Sequence, residues 1–475
     1  MRPLLIVTGL LLLLAGVLVP PPAGLSAAGM VTLSLLAVMA LWWFTEALPV
    51  AATALLPFVV LPLTGAEKLT AVASSYMAPV IFLVLGGALL ALAMEKSGLH
   101  RRVAVAVISR AGSTPRGLIL AFMVATAFVS MWVSNTATAL IMMPIAVSVL
   151  AAVLPERATW SVEQRAFGAA LIFGIAYSAS IGGLGTLIGS PTNGIAVGII
   201  DRSLGIRISF LQWLSFGLPL VLVSIPLAWW LMTRVAFRFA LPDFDRAQLL
   251  HAVGSRGPLN AAERRLLPLL AVAVVAWVTL PLLRQLPPLA ALDDSTIAIV
   301  AALALFVIPA GPLAAPGETL LMWRDTERAP WDVLVLFGGG LALAEAITGT
   351  GLGDWLGQQL RGLGGLPIVL FIVLVTLVVI VVTEFASNVA AAASFIPVVA
   401  AVTGMLELHP LVLSLPAALA ASWGFMMPAG TPPNAIAYAT GHVRVAEMIR
   451  AGFWIDLLGL IAIPASVALA LAFFL

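Results

Sequence analysis

The chain has no cysteine and very few charged residues. Of its 475 residues, only 9% are Asp, Glu, Lys or Arg. The absence of cysteine excludes disulfide bonds, thiolate metal sites and thiol nucleophiles. So few charges cannot cover the surface of a water-soluble globule of this length. The net charge of +2 provides no basic excess, so no nucleic-acid partner is expected.

The chain also lacks the residues that two classes of membrane protein need. An intramembrane hydrolase needs a nucleophile with a base, or a metal-binding set such as HExxH, within its spans. No such set occurs in the apolar runs. A channel needs a polar stripe or a ring of charges along its pore, and the sequence shows neither. The sequence therefore predicts that the chain is not an enzyme and disfavours a channel.

Long apolar runs dominate what is present. Hydrophobic residues make up 62% of the chain, and a membrane-spanning helix needs about 20 of them. The runs predict an all-α polytopic membrane protein of about 11 transmembrane helices. The spans are predicted near residues 4–20, 27–47, 50–64, 77–96, 163–200, 210–238, 264–285, 291–311, 330–349, 409–440 and 446–475. The first run also fits a cleavable secretory signal; the topology favours a helix.

Two further apolar segments, 115–153 and 366–403, carry a polar break at their centres. We expect each of them to enter and leave on one side of the membrane as a re-entrant hairpin. We also expect the protein to span the inner (plasma) membrane with its N-terminus in the cytoplasm. All but five of the 23 Lys and Arg residues then lie on the cytoplasmic side, as the positive-inside rule expects. The five exceptions are Lys68, Arg202, Arg207, Arg284 and Arg361.

The sequence contains an internal repeat. Residues 134–144 (SNTATALIMMP) match residues 387–397 (SNVAAAASFIP) at an offset of 253, with Ser, Asn and Pro in register. Further on, GSPTN at 189–193 matches GTPPN at 430–434. Each half would hold an odd number of spans plus one hairpin, which turns the second half upside down. Inverted repeats with interrupted helices are typical of secondary transporters, whose sites lie near the bilayer midplane.

The repeat predicts a chain organised around two related units. The predicted parts are an N-terminal transmembrane helix (1–26), a first inverted repeat (27–240) with hairpin 115–153 and broken helix 163–200, a cytoplasmic connecting loop (241–263), and a second inverted repeat (264–475) with hairpin 366–403 and broken helix 409–440.

Four polar interruptions predict the site. They are the hairpin tips Ser134-Asn135-Thr136 and Ser387-Asn388-Val389, and the Gly- and Pro-rich breaks at 182–193 and 424–434. Irregular backbone at membrane depth is tolerated only where protein or a water-filled cavity surrounds it. Helix N-termini attract anions, and freed carbonyls suit small cations. No Lys, Arg or His lies in these segments, so a bound dianion would need cations beside it.

These motifs, together with WWFTEALPVAATALLP at 42–57 and TEFASN at 383–388, resemble the divalent anion sodium symporter family of sodium-coupled dicarboxylate transporters. The resemblance covers the chain from about residue 30. It implies symport of sodium ions with a divalent anion, most simply a C4-dicarboxylate such as succinate. It also implies an elevator-type movement within a homodimer embedded in the lipid bilayer.

The resemblance implies a substrate site between two sodium sites. The implied substrate-binding residues are Asn135, Thr136, Ser387, Asn388, Val389, Thr431 and Pro432. The implied ligands of the first sodium ion are Ser130, Ser134, Asn135 and Gly183. The implied ligands of the second are Thr383, Ala386, Ser387, Asn388 and Gly430.

One residue departs from the family pattern. Val389 stands where the family has the Thr of a second SNT motif, so one hydroxyl contact to the substrate is missing. That departure leaves the identity of the substrate open. Separately, a sulfate or citrate carrier, or a sodium-independent dicarboxylate exchanger, remains an alternative. For Glu46 and Glu384, which lie beside motifs, support of exposed backbone and a direct functional role fit equally well.

Overall fold

The computed structural model describes most of the chain. The described residues are 2–110, 112–254, 257–312, 314–360, 367–405, 409 and 411–474. Arg256, Arg361 and Leu366, on which parts of the predicted loops and of the second hairpin rest, lie outside them. Within the described residues the regular structure is helical, apart from one isolated bridge between Pro309 and Thr319.

The helices of the first half follow one another with short connections. Their bounds are α1 Arg2–Leu18, α2 Ala27–Thr45, α3 Val50–Thr53, α4 Leu56–Leu63, α5 Leu69–Ser75, α6 Pro79–Ser97, α7 Leu99–Ile108, α8 Pro115–Ser130, α9 Asn135–Val153, α10 Val162–Gly183, α11 Pro191–Leu204 and α12 Phe210–Trp230.

The connecting segment and the second half contain the remaining helices. Their bounds are α13 Arg246–Val253, α14 Ala261–Val278, α15 Leu280–Leu283, α16 Asp294–Val307, α17 Trp331–Gly349, α18 Leu352–Leu360, α19 Ile368–Thr383, α20 Asn388–Met405, α21 Leu411–Ala420, α22 Pro432–Ala439 and α23 Val445–Phe474.

Length and hydropathy give several of these helices the character of membrane spans. The long apolar ones in the described residues are Ala27–Thr45, Leu69–Ser97, Asn135–Val153, Val162–Gly183, Phe210–Ala236, Trp331–Gly349 and Val445–Leu471. Shorter apolar helices, such as α8, α16 and α19, lie between them. The predicted all-helical class is confirmed, and the number of eleven spans stays a prediction.

The helix bounds follow the internal repeat. Helices α8 and α19 begin at Pro115 and Ile368 and both end five residues before a tip asparagine. Helices α9 and α20 then begin at Asn135 and Asn388, which keeps the sequence offset of 253. The pairs α6 with α17 and α7 with α18 also match in position and length to within one residue. The same order of elements is therefore built twice.

The two halves interlock around their broken helices. Helix α10 is almost completely buried and packs on α8 and α9 of its own half and on α22 of the other. Helix α11 packs on α20, and α22 packs on α9, so each half contributes a broken helix to the hairpin of the other. Gly182 lies against the backbone of Ala127, where a Cβ atom would not fit. Small residues at such positions allow close helix contact within a bilayer.

Local capping sets several helix starts. Ser161 with Gln164 and Ser209 with Gln212 form reciprocal capping boxes at the starts of α10 and α12. Ser134 accepts a hydrogen bond from the Ala137 amide at the start of α9. Such caps satisfy N–H groups that the first helical turn leaves without partners. The polar residues at these starts thus fix where each apolar run becomes a helix.

Candidate functional site

The first hairpin tip is held by a buried serine at the end of α8. The Ser130 hydroxyl lies 2.8 Å from Asn135 Oδ1 and 2.6 Å from the Ala179 carbonyl oxygen of α10. Ser130 is fully buried and Asn135 is 8% exposed. The Asn135 side chain is therefore fixed to both the hairpin and the broken helix beside it.

The second hairpin tip repeats this arrangement with threonine in place of serine. The Thr383 hydroxyl lies 3.1 Å from Asn388 Oδ1 and 2.8 Å from the Ala421 carbonyl oxygen. In both tips this hydroxyl lies within hydrogen-bond distance of Oδ1, and no acceptor among the described residues pairs with the amide nitrogen of Asn135 or Asn388. Each tip therefore keeps two N–H donors available to a bound solute.

A second pair of asparagines closes the breaks in the long helices. Asn193 Nδ2 donates to the carbonyl oxygens of Gly183 and Thr186, both at 2.8 Å. Asn434 Nδ2 donates to those of Gly424 and Met427, at 3.1 and 3.0 Å. The amide oxygens of both asparagines are buried without a donor among the described residues. These side chains replace backbone hydrogen bonds that the breaks remove.

Glu384 supports the second break. Its carboxylate accepts the backbone N–H groups of Phe425, Met426 and Met427 at 2.6 to 3.0 Å. The first half has Met131 at the matching position; there the helix continues to Gly183, and its own carbonyls accept the amides of Leu184 and Gly185. A structural role therefore accounts for this acidic residue within the apolar region.

Both tips and both breaks meet at one cavity of about 520 Å³. It is lined by all seven residues predicted to bind substrate, namely Asn135, Thr136, Ser387, Asn388, Val389, Thr431 and Pro432. Ser190 and Thr192 of the first break line it as well. The Thr192 hydroxyl lies 2.8 Å from Ser190 Oγ and 2.5 Å from Ser422 Oγ, which joins the two breaks directly.

The residues predicted to bind sodium divide into two groups. Ser134, Asn135, Ser387, Asn388 and Gly430 line the cavity. The other four, Ser130, Gly183, Thr383 and Ala386, are buried behind it. Ser130 and Thr383 reach the tips through the hydrogen bonds described above, and Gly183 lies against the side chain of Asn135. Ala386 is only 5% exposed, and its methyl side chain has no oxygen atom that could bind a cation.

Oxygen atoms converge beside Gly189, which the sequence prediction did not include. A Cβ atom there would lie 2.6 Å from the Gly183 carbonyl oxygen and about 3 Å from those of Ser130 and Met131. In the second half the matching residue is Gly430, where a Cβ would lie near Glu384 and the Gly424 carbonyl. Gly183 itself corresponds to Gly424, because Asn193 and Asn434 contact them identically. Carbonyl oxygens around a residue without a side chain suit a small cation.

Several residues of this site were missed from the sequence. The Asn of each GSPTN and GTPPN motif was quoted there, but its partners lie seven and ten residues earlier in the chain, across the break. The contact between Thr192 and Ser422 spans 230 residues. Only the recurrence of Asn at the end of both motifs could have indicated its role.

Gly183 offers a direct test of the close approach at the first tip. We expect Gly183→Ala to reduce solute uptake at least about tenfold, because its methyl group would displace the Asn135 amide and leave buried polar atoms unpaired. Uptake into proteoliposomes measures this. Gly112→Ala is the control, because a Cβ atom at Gly112 meets nothing within 4 Å. Equal uptake by the two variants would contradict the proposed geometry.

Comparison with known proteins places this chain in a family. Residues 3–472 match the family described as the sodium:sulfate symporter transmembrane region. The sodium-dependent dicarboxylate transporter SdcS of Staphylococcus aureus (strain USA300) is 39% identical over 463 residues, covering 96% of this chain and 89% of that protein. The protein of the same name from Staphylococcus saprophyticus is 37% identical over equal coverage.

Solved structures share the fold at much lower identity. The YdaH transporter of Alcanivorax borkumensis has a TM-score of 0.59 at 14% identity, covering 92% of this chain and 98% of that one. MtrF of Neisseria gonorrhoeae has a TM-score of 0.56 at 14% identity, covering 98% and 94%. The likeness concerns the arrangement of helices.

The family match covers nearly the whole chain. The relatives, which are named as transporters, align with 96% of it. The prediction that the chain is not an enzyme is therefore confirmed. The chain is a multi-pass membrane transporter and belongs to the divalent anion:sodium symporter family.

Proposed function

We propose that the protein couples the inward sodium gradient to uptake of a C4-dicarboxylate such as succinate. The observation that carries this proposal is that Asn135 and Asn388, whose amide donors have no acceptor among the described residues, line the same cavity. Two donor groups in one cavity match a solute with two carboxylates. The name that the relatives carry, sodium-dependent dicarboxylate transporter, supports the same conclusion.

Sodium supplies the positive charge that the cavity lacks. No Lys, Arg or His is among the described residues that line it. A dianion held by amides and helix starts alone would carry its full charge into a region of low dielectric constant. The convergent carbonyl oxygens near Gly189 and Gly430 and the tip hydroxyls provide hard ligands for sodium on each side. We propose two sodium sites, one for each repeat, and the matching geometry of the two halves supports this number.

The movement proposed is of the elevator type. The two hairpins and two broken helices pack on one another across the halves, so they can move as a block against the surrounding helices. Inverted repeats allow such rigid-body movement around a midplane site. The family resemblance adds a homodimer and an orientation in the plasma membrane with the N-terminus in the cytoplasm. The hairpins are proposed to be re-entrant.

Uptake of labelled succinate into proteoliposomes tests the coupling. We expect an inward sodium gradient to raise the initial rate by at least about tenfold over an equal concentration of potassium, because without sodium the dianion lacks counter-charge. Loss of the effect when the gradient is collapsed would confirm the coupling. Uptake that is indifferent to sodium but requires succinate inside the vesicles would identify an exchanger. Preference for sulfate or citrate in competition would identify a sulfate or citrate carrier.

A further inference from the structure

The cavity that takes the solute carries two acidic residues from helices outside the hairpins and broken helices. Glu46 follows the C-terminal end of α2, and Asp332 lies in the first turn of α17. Both line the cavity and both are exposed. In the described residues neither carboxylate has a hydrogen-bond or ion-pair partner. A cavity for a dianion therefore holds two unneutralised negative charges.

The backbone of Glu46 is strained. Its φ of 49° and ψ of 35° lie in the left-handed region, and it is the one non-glycine residue with positive φ among those described. Glycine or asparagine adopts this conformation at lower cost. Strained residues of this kind are concentrated at functional sites. Termination of α2 alone therefore does not explain why a glutamate occupies this position.

Cavity size cannot explain a choice among small carboxylates. About 520 Å³ falls within the range of cavities that hold drug-sized ligands, so a six-carbon tricarboxylate also fits. Charge is what distinguishes it from a dicarboxylate. Two solute carboxylates can pair with the donors of the two tips, and a third must lie elsewhere in the cavity, where Glu46 and Asp332 are the charged groups.

We propose that Glu46 and Asp332 determine the charge of the accepted solute, by rejecting a third carboxylate and tolerating an ammonium group. The proposal rests on the proposed function, because it concerns a second property of the same cavity. Specificity of this type comes from repulsion of the wrong ligand rather than from attraction of the right one. One like-charge contact in a cavity of reduced dielectric constant weakens binding by on the order of tenfold.

Three solutes with one four-carbon dicarboxylate skeleton test the proposal. Succinate, aspartate and ethane-1,1,2-tricarboxylate carry hydrogen, ammonium and carboxylate, respectively, at one carbon atom. Their dissociation constants are measured on the purified full-length protein by thermal stabilisation in sodium buffer at about pH 8, where the carboxylates are ionised and the ammonium is protonated, for wild type, Glu46→Gln, Asp332→Asn and the double variant. Glu163→Gln is the control, because Glu163 is exposed and does not line the cavity.

In wild type we expect the tricarboxylate to bind at least about 100-fold more weakly than succinate, with aspartate no more than about tenfold weaker. Each single variant should reduce the ratio for the tricarboxylate by roughly tenfold, and the double variant by more. Glu163→Gln should leave the ratio unchanged. Equal ratios in wild type and the double variant, or tight tricarboxylate binding by wild type, would overturn the proposal.

Binding separates this test from that of transport. If succinate binds but sodium fails to drive its uptake, the proposed function fails while the charge ratios still decide the role of Glu46 and Asp332. If no solute of the series stabilises the protein, the assignment of this cavity as a dicarboxylate site and the selectivity proposal built on it are both wrong. Sodium-driven uptake with unchanged ratios would retain the proposed function and reject only the selectivity.

Discussion

Alanine at either tip asparagine is expected to lower sodium-driven succinate uptake by at least about 100-fold. Asn135→Ala and Asn388→Ala each remove two N–H donors from the cavity and the oxygen that accepts from Ser130 or Thr383. One hydrogen bond to a charged group contributes about 1.5–3 kcal/mol, so loss of two such bonds accounts for the effect. Initial rates of uptake into proteoliposomes, normalised to reconstituted protein, measure it.

A control on the same helix separates this effect from damage to the fold. Ser148→Ala changes an exposed polar residue of α9 that lies away from the cavity, so it should transport at the wild-type rate. Because the two tips have matching geometry, the two asparagine variants should be impaired to a similar degree. If either variant retained uptake within about threefold of wild type, at an unchanged sodium dependence, the tip would not be a binding element.

Removal of the Glu384 carboxylate is expected to destabilise the protein by roughly 3 kcal/mol or more, since unpaired buried donors cost about 1–3 kcal/mol each. Glu384→Ala leaves the amides of Phe425, Met426 and Met427 without their acceptor. The break that carries Thr431 into the cavity would then lose its shape, and uptake should fall with stability. Thermal unfolding of the detergent-purified protein measures the loss.

Glutamine provides the comparison for Glu384. Glu384→Gln keeps one oxygen acceptor for two of the three amides, so its stability should lie between those of wild type and Glu384→Ala. Met131→Ala, at the matching position of the first half, is a control for lost packing. It removes side-chain contacts, but it removes no carboxylate that accepts hydrogen bonds from backbone amides. An unfolding temperature of Glu384→Gln equal to that of wild type, with a loss in Glu384→Ala alone, would show that side-chain packing, rather than acceptance of the amides by the carboxylate, supports the break.

The identity of the tip residues could be predicted because the same SN motif occurs in both halves of the sequence. Matching SN pairs at a fixed offset identified Asn135 and Asn388, and both line the central cavity. Their functional roles stay predictions until the variants are measured. Gly183 and Gly430, each predicted as a sodium ligand, do not occupy matching positions, because the GSPTN and GTPPN motifs align Gly430 with Gly189 and Gly424 with Gly183. Contacts made by Asn193 and Asn434 bring Gly189 into correspondence with Gly430.

Composition and spacing alone determined that this chain is an apolar, helical, twice-repeated membrane protein with four polar interruptions. Hydropathy and local repeats are properties of neighbouring residues, so they can be seen without a fold. Only the tertiary structure decided which distant groups meet: Thr192 with Ser422, Glu384 with the amides of residues 425–427, and Glu46 and Asp332 with the tips across one cavity. These contacts depend on how helices from two halves pack, and no pattern along the chain records that.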